Sequence, residues 1–304
     1  LTRETQTNYG VNPITPPPVN IYHPDSNVNI GGLSRNGANA NGQTDTFGVY
    51  AFDTLQITRE FELNGGIRLD NYRTEYDSAT ACGASGRGAV ACPTGVAKGS
   101  PVTTADTELV DTAKSGNLVN WKAGALYHLT DNGNVYINYA VSQQPPGGSN
   151  FALAQGGSGN SANRTDFKPQ KAKTSEIGTK WEVLDKRLLL TAAIFRTDIE
   201  NEVEQNDDGT YSQYGEKRVE GYELSVAGNI TPAWQIIGGY TQQRATIHSG
   251  KNVAQDGSSS LPYTPEHAFT LWNQYQATDD ISVGAGARYV GSMHRGSDGA
   301  VGTP

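Results

Sequence analysis

Two cysteines, Cys82 and Cys92, are the residues with the most definite chemistry in this chain of 304 residues. They flank the Gly/Ala-rich segment GASGRGAVA, which contains no histidine. A structural metal site needs about four ligands, usually cysteine and histidine, so the pair is a poor match for one. A disulfide across a loop is the favoured interpretation, and it indicates an oxidising compartment such as the periplasm or the cell surface. Two unpaired thiols in a cytosolic loop are the alternative.

The other reactive residue types form no recognisable catalytic motif. The five histidines share no close spacing and lie at positions 23, 128, 248, 267 and 294. The chain has no HExxH, no GxSxG and no phosphate-binding loop. The segment QNDDGTYSQYG (205–215) lacks the spaced acidic ligands and the closing glutamate of a calcium loop. We therefore expect no enzymatic activity, no metal site and no resident cofactor.

Charge and hydropathy exclude further classes. The net charge of −8 argues against nucleic acid as a partner, because phosphate binding needs a basic surface. No apolar run reaches the ~18 residues of a transmembrane helix. The first residues are polar and rich in proline, unlike a signal peptide, and residue 1 is leucine. We expect the chain to be a processed product or a fragment.

Apolar and polar residues alternate along the chain, and this alternation indicates the β-strands that position the polar side chains. In NVYINYAV (134–141), Ile137 and Tyr139 fall on one face of a strand and Asn138 on the other. Comparable runs bounded by Gly, Asn and Asp turns recur along the chain, and they predict antiparallel strands of about ten residues. The charged residues that this phase places opposite the apolar face are Glu176, Lys180, Glu223 and Arg288.

The connections between these strands are alternately short and long. The short ones are REFE, LTDNG, VLDKR, ITPA and ATDD, and the long ones cover roughly residues 11–43, 77–116, 144–171, 201–216 and 248–264. Every long connection therefore lies at one end of the sheet. Transmembrane β-barrels have short periplasmic turns, long external loops and strands with one apolar face. In lipid every backbone polar group needs a partner, so a spanning sheet must close. We predict an all-β, antiparallel transmembrane β-barrel, of which ten strands and an N-terminal stub are visible.

Three segments resemble the β-barrel of TonB-dependent siderophore receptors, in the order and spacing of that family. They are DFKPQKAKTSEIGTKWEVLDKRLLLTAAIFRTDIEN (166–201), RVEGYELSVAGNITPAWQIIGGYT (218–241) and LPYTPEHAFTLWNQYQATDDISVGAGARYVGS (261–292). The segment TPEHAFTLWNQYQ is most similar to the corresponding sequence of the ferric-catecholate receptors. The resemblance implies an outer-membrane barrel of about 22 strands, of which residues 1–304 would be the central part. The family's N-terminal plug, TonB box and C-terminal strands would be absent.

The resemblance also implies partners. The expected ones are a ferric siderophore, which carries iron as cargo, the TonB complex through the missing N-terminal part, and outer-membrane lipid and lipopolysaccharide. A monomer is expected. A passive porin-like channel and a secreted all-β adhesin are the alternatives.

A ferric catecholate is anionic and aromatic, which suits arginine and tyrosine through hydrogen bonds and stacking. The loop candidates for binding it are Tyr9, Tyr22, His23, Arg35, Arg87, Phe151, Arg164, Tyr211 and Tyr214. Glu176, Lys180, Glu223 and Arg288 are expected to face the lumen, where they bond to one another or to a plug; guidance of the substrate is the second possibility.

Overall fold

The structure is a computed structural model. It describes residues 1–11, 22, 32, 34–83, 91–98, 100–102, 110–146, 153, 164–205, 211–251 and 254–296. Within these residues the strands are β1 (Thr2–Val11), β2 (Arg35–Gln56), β3 (Phe61–Ala81), β4 (Pro101–Val102), β5 (Val110–Thr130), β6 (Gly133–Gln144), β7 (Gln170–Val183), β8 (Leu188–Gln205), β9 (Tyr211–Thr231), β10 (Trp234–Ser249), β11 (His267–Gln276) and β12 (Ser282–Val290).

These strands form a sheet in which sequence neighbours are also spatial neighbours. The order is β1-β2-β3-β5-β6-β7-β8-β9-β10-β11-β12, and the short β4 pairs with β3. The registers that are defined are all antiparallel. This arrangement confirms the predicted all-β, antiparallel fold. None of the described residues belongs to a helix that could cross a membrane.

The chain divides into two compact units. The first contains Leu1–Phe47, Asn71–Gly116 and Pro146–Phe167, and it buries the side chains of Tyr72 and Thr74 almost completely. There the Thr74 hydroxyl is 2.9 Å from that of Thr44, which satisfies both buried groups.

The second unit contains Gly48–Asp70, Asn117–Pro145 and Lys168–Pro304. Its sheet leaves large apolar side chains in the open, and Ile194 is 65% exposed. A soluble protein would bury such a surface, whereas a sheet in lipid has no reason to do so.

Tight connections join the strands at one end of the second unit. Residues 57–60, 131–132, 184–187, 232–233 and 277–281 link consecutive strands there. In the β7–β8 turn, Leu184, Asp185 and Lys186 all have positive φ, between 52° and 64°. The turn is held by the Arg187 amide, which donates to the Leu184 carbonyl at 3.3 Å. The short connections predicted from the sequence are confirmed.

Six of the strands, β2, β3, β5, β8, β9 and β10, have 16–22 residues and are much longer than the predicted ten. β2 already begins at Arg35, β3 continues to Ala81 and β9 begins at Tyr211, so parts of the predicted loops 11–43, 77–116 and 201–216 are strand. The prediction was wrong because it followed apolar alternation. Where both faces of a sheet contact water, the backbone ladder continues without any apolar side chain to signal it.

Gly228 gives a direct test of the β8–β9 contact. Its φ is 138°, and a Cβ atom there would lie 2.1 Å from the Arg187 carbonyl oxygen, which accepts a hydrogen bond from the Asn229 amide. We expect Gly228→Ala to lower the free energy of unfolding by about 2–4 kcal/mol, measured by thermal unfolding in detergent. Gly239→Ala in β10 is the control, because its Cβ would meet nothing closer than 3.9 Å. Equal stability of the two variants would contradict this role of Gly228.

Candidate functional site

The registers of the second unit define an apolar face. A row here means residues that lie directly opposite one another on neighbouring strands. Three successive rows across β6 to β10 are Ile137–Ile177–Ile194–Tyr222–Gln242, Val135–Thr179–Ala192–Leu224–Tyr240 and Gly133–Trp181–Leu190–Val226–Gly238. We call them the apolar rows. Because side chains alternate along a strand, the residues between them point to the opposite, polar face.

The polar face carries the charged residues singled out in the sequence. Glu176, Lys180 and Glu223 lie on it through the pairs Asn138↔Glu176, Asn134↔Lys180 and Ala193↔Glu223. Arg288 joins them through its partner Thr270, which pairs with Gly239. The phase of alternation therefore grouped these four residues correctly on one face.

Tyr136 organises the middle of the polar face. Its ring lies over Gly178, where a Cβ atom would be 2.5 Å from the ring. The Tyr136 hydroxyl lies near the Glu176 carboxylate, and the Lys180 ammonium lies 5.4 Å from the ring centroid. Glu176 and Lys180 are thus held around one aromatic ring. The glycine was visible in the sequence, but its role as a seat for Tyr136 depends on the register.

Neighbouring strands continue this pattern of interleaved opposite charges. Asp70 accepts hydrogen bonds from Arg68 at 2.8 Å and from Asn120 at 3.0 Å. The Thr241 hydroxyl lies 3.5 Å from the Glu223 carboxylate. Arg288 makes no ion pair with another described residue. A face of this kind can hold water and bond to a polar surface packed against it.

A second group of charges lies beyond the apolar rows, on the same face as them. The next two rows are Ser175–Arg196–Glu220–Arg244 and Lys173–Asp198–Arg218–Thr246. We call them the charged rows. Sequence reasoning missed them, although the signal is present: in Ile194-x-Arg196-x-Asp198 the outward position changes from apolar to charged without a change of phase.

Asp198 is the centre of the charged rows. Arg218 donates to its carboxylate at 2.6 Å and Arg196 at 3.0 Å. Burial alone would raise the pKa of the Asp198 carboxyl, but the hydrogen bonds from the two arginines outweigh it and lower that pKa below its ordinary value. Lys173 bonds with Glu200 beside this centre.

The predicted ligand-binding residues are distributed over several elements. In the first unit, Arg35 begins β2 and stacks on the ring of Tyr9 in β1, with its guanidinium carbon 3.8 Å from the ring centroid. Arg164, also in the first unit, bonds with Asp166 and lies 5.0 Å from the Phe167 ring centroid.

In the second unit, Tyr211 and Tyr214 belong to β9, and Tyr214 is exposed. The expectation that Tyr9, Arg35, Tyr211 and Tyr214 lie in loops was therefore wrong, for the reason given for the strand lengths. Tyr22 is exposed in the β1–β2 connection. His23, Arg87 and Phe151 lie outside the described residues.

Cys82 and Cys92 form a disulfide, with their Cα atoms 4.8 Å apart. The Cys82 amide also donates to the Ser100 carbonyl at 3.0 Å, so the bridge lies against the segment that leads into β4. Within the described part of the chain, no three His, Cys, Asp or Glu side chains are grouped as metal ligands.

Cysteine substitution tests the assignment of the two faces. We expect a thiol at Glu223→Cys to react with a charged, water-soluble maleimide, and one at the adjacent Leu224→Cys to react only with a membrane-partitioning reagent, because the side chains point to opposite faces. The disulfide consumes both native cysteines, so the background is low. Equal labelling of both variants by the charged reagent would contradict the assignment.

The environment of Asp198 predicts an acid-dependent stability. Because its folded-state pKa is lowered, the carboxylate stabilises the fold above the ordinary aspartate pKa of about 3.9, and this contribution is lost as the pH falls through the lower folded-state value. We expect Asp198→Asn to weaken the pH dependence of the unfolding temperature below about pH 4. Asp185→Asn, whose side chain in the β7–β8 turn is 98% exposed, is the control. A wild-type slope retained in Asp198→Asn would contradict the prediction.

Comparison with known proteins places this geometry in a family. The family model described as TonB dependent receptor-like, beta-barrel, matches residues 2–304. The catecholate siderophore receptor Fiu of Escherichia coli K12 is 88% identical over 304 residues, which are 100% of this chain and 39% of that protein. The chain therefore spans well under half the length of this relative.

Solved structures agree with the sequence comparison. The closed form of the ferric-catecholate import receptor Fiu from E. coli K12 matches with a TM-score of 0.92 at 88% identity, over 99% of this chain and 42% of that one. The siderophore receptor PiuA of Acinetobacter baumannii matches with a TM-score of 0.66 at 30% identity, over 85% of this chain and 34% of that one. With an exposed apolar face, a polar face and tight turns at one end, the chain belongs to the β-barrel family of TonB-dependent receptors, which are proteins of the bacterial outer membrane.

Proposed function

We propose that the chain forms part of the barrel wall of an outer-membrane receptor that imports iron as ferric catecholate complexes. The observation that carries this proposal is the 88% identity to a catecholate siderophore receptor over all 304 residues. Loops determine the substrate of such receptors, and an identity this high across a chain that includes loops favours the same substrate class.

The chain's own part in this function is binding and passage. The relatives are named as receptors, and we infer that this chain performs no covalent chemistry either. Iron is then the cargo inside the siderophore, and the protein needs no resident cofactor. This agrees with a polar face on which polar side chains bond to one another, as Arg68 and Asn120 do with Asp70.

We further propose that residues 1–304 are the central part of a larger barrel. The chain's 39% share of the Fiu receptor supports this division. In the whole receptor, Glu176, Lys180, Glu223 and Arg288 line the lumen and contact a plug domain. In this family, the receptor contacts TonB through the segment that precedes the barrel. The receptor acts as a monomer, because one closed barrel pairs all of its own strand edges.

The siderophore contacts are proposed at the loop end of the strands, where arginine and tyrosine are both available. The candidates are Tyr22, His23, Arg35, Arg87, Phe151, Arg164, Tyr211 and Tyr214. Arg35 carries the strongest physical support, because its guanidinium already stacks on an aromatic ring, that of Tyr9. A catechol ring offers the same kind of surface together with anionic oxygens.

Arg35 is the residue with which to test the site. We expect Arg35→Gln in the receptor to weaken uptake of a radiolabelled ferric catecholate, raising the half-saturating concentration about three- to tenfold, since one cation–aromatic or charge-assisted contact is lost. Arg59→Gln is the matched control, because Arg59 lies in the short turn at the other end of β2. Receptor abundance in the outer membrane is measured in parallel.

Competition between complexes tests the substrate class itself. Unlabelled ferric catecholate should compete with the labelled complex, and ferric citrate or a ferric hydroxamate should not. Competition by those complexes alone would overturn the catecholate assignment. The family match favours a receptor over the passive channel and the secreted adhesin considered from the sequence.

A further inference from the structure

We propose that the connection between β10 and β11 and the segment after β12 form a pH-sensitive latch at the loop end of the sheet, which is closed most firmly when His294 is protonated. The two parts of the latch are residues 254–263 and 291–296. They contain none of the proposed siderophore contacts, so the inference goes beyond iron import. It uses the outer-membrane placement only in that the long connections face the cell exterior.

The first part of the latch is folded back against β10. The Ile247 amide donates to the Ser259 carbonyl at 2.7 Å, and the Leu261 amide donates to the Ala245 carbonyl at 2.9 Å. These bonds extend the backbone ladder of the sheet into the connection. One edge of the connection is therefore anchored to a strand, and its other edge contacts residues 291–296.

Among the described residues, two backbone hydrogen bonds join the two parts of the latch. The Gln255 amide donates to the Arg295 carbonyl at 2.8 Å, and the Tyr263 amide donates to the His294 carbonyl at 2.8 Å. A contact of this size can open locally while the sheet remains folded. A side-chain bond between the same two segments is then a large part of what keeps them together.

Tyr263 adds strain to the closed arrangement. Its φ is 57°, in the left-handed region that a tyrosine rarely adopts, and its ring lies over Gly296, where a Cβ atom would be 3.3 Å away. Such a conformation persists only where the surrounding contacts hold it. Loss of the bond to the His294 carbonyl would let Tyr263 relax, so the closed latch has a built-in tendency to open.

The side-chain bond of the latch joins His294 to Asp256. The His294 Nδ1 lies 2.9 Å from Asp256 Oδ2, while the other carboxylate oxygen accepts a hydrogen bond from the Ser258 amide at 2.9 Å. Hydrogen bonds from Ser258, followed by that from His294, lower the pKa of the Asp256 carboxyl below its ordinary value. Asp256 is therefore a carboxylate throughout the pH range in which histidines titrate.

Protonation of the imidazole turns this contact into a charge-assisted bond. A neutral imidazole can donate one N–H to the carboxylate, whereas an imidazolium does so with roughly twice the strength. Because the closed latch favours the cation, this gain is fully present below the ordinary histidine pKa of about 6.5 and is lost as the pH rises past it. The side chains of His294 and Asp256 are 36% and 53% exposed, so solvent screening keeps the effect modest.

Two other histidines lie in the elements around the latch. The remaining titratable or charged residues of these elements are Arg244, His248, Lys251, Tyr263, Glu266, His267, Arg288, Tyr289 and Arg295. Of these residue types only histidine ordinarily changes charge between pH 5 and 8. His267 lies 2.9 Å from the Tyr240 hydroxyl, and His248 is exposed at the end of β10. The experiment therefore compares all three histidines.

Hydrogen–deuterium exchange, read by mass spectrometry on the whole receptor in detergent without siderophore, measures opening of the latch at the Gln255 and Tyr263 amides. After correction for the intrinsic pH dependence of exchange, we expect their protection in wild type to fall about two- to fivefold from pH 5.5 to pH 8, the range expected for an exposed ion pair. Protection that is the same at both pH values would overturn the proposal.

Substitutions at the pair separate charge from hydrogen bonding. His294→Gln retains a neutral donor, so its protection should equal the wild-type value of pH 8 at both pH values. His294→Lys retains a cation, so its protection should not fall between pH 5.5 and pH 8. Asp256→Asn removes the carboxylate and should abolish the pH dependence as well. A wild-type pH dependence in His294→Gln or in Asp256→Asn would exclude this pair as the origin of the response.

His248→Gln is the matched control, and His267→Gln is the second one; both should retain the wild-type pH dependence. Loss of the response in either control, with retention in His294→Gln, would assign it to another histidine and refute the latch. Exchange is measured without iron or siderophore, so failure of the latch and failure of the proposed transport function give separate results.

Discussion

The pairing of every backbone amide and carbonyl is the constraint on which this structure depends. In a hydrocarbon environment an unpaired peptide group costs several kcal/mol, about as much as a large part of a protein's net stability. An antiparallel ladder removes that cost along the whole length of each strand, and tight turns such as 184–187 keep neighbouring strands in register. Gly228 shows how strict the requirement is, because its missing side chain lets the Asn229 amide reach the Arg187 carbonyl at 2.8 Å.

Side-chain alternation gives the two faces of this hydrogen-bonded sheet different properties. A single phase places Ile194 on one face and Phe195 on the other, so one strand serves two environments. The same phase continues beyond the apolar rows. Along β8, the residues on this face are first Ala192 and Ile194 and then Arg196 and Asp198. A change of register by one residue would exchange the two faces, and Glu176, Lys180 and Glu223 would then face lipid. The charged rows thus mark the boundary of the apolar band, and the charges of the polar face penalise the wrong register.

The sequence was sufficient for those parts of the fold that apolar alternation reports. The common face of Glu176 and Glu223 follows from a pattern with period two. Antiparallel strand direction and the short turns follow from the short turn-forming segments between the alternating runs. The extensions of β2, β3 and β9 did not, because strands with polar residues on both faces have no periodic signal. Contacts such as Tyr136 over Gly178, or Arg35 on Tyr9, depend on which residues of two strands lie opposite one another. Alternation fixes the face of a residue but leaves its cross-strand partner open, so these contacts required the register.

The length of β9 has a consequence for how antibodies recognise this receptor at the cell surface. Its 21 residues rise roughly 70 Å along the strand, while the apolar positions from Tyr222 to Val226 account for only a small part of that path. The rest of β9 remains hydrogen-bonded to β8 and β10, and these strands form a stiff wall beyond the apolar rows. An antibody directed at this receptor would therefore find a preformed, ordered epitope on the strands themselves, and it would bind that epitope without the entropic cost of ordering a loop.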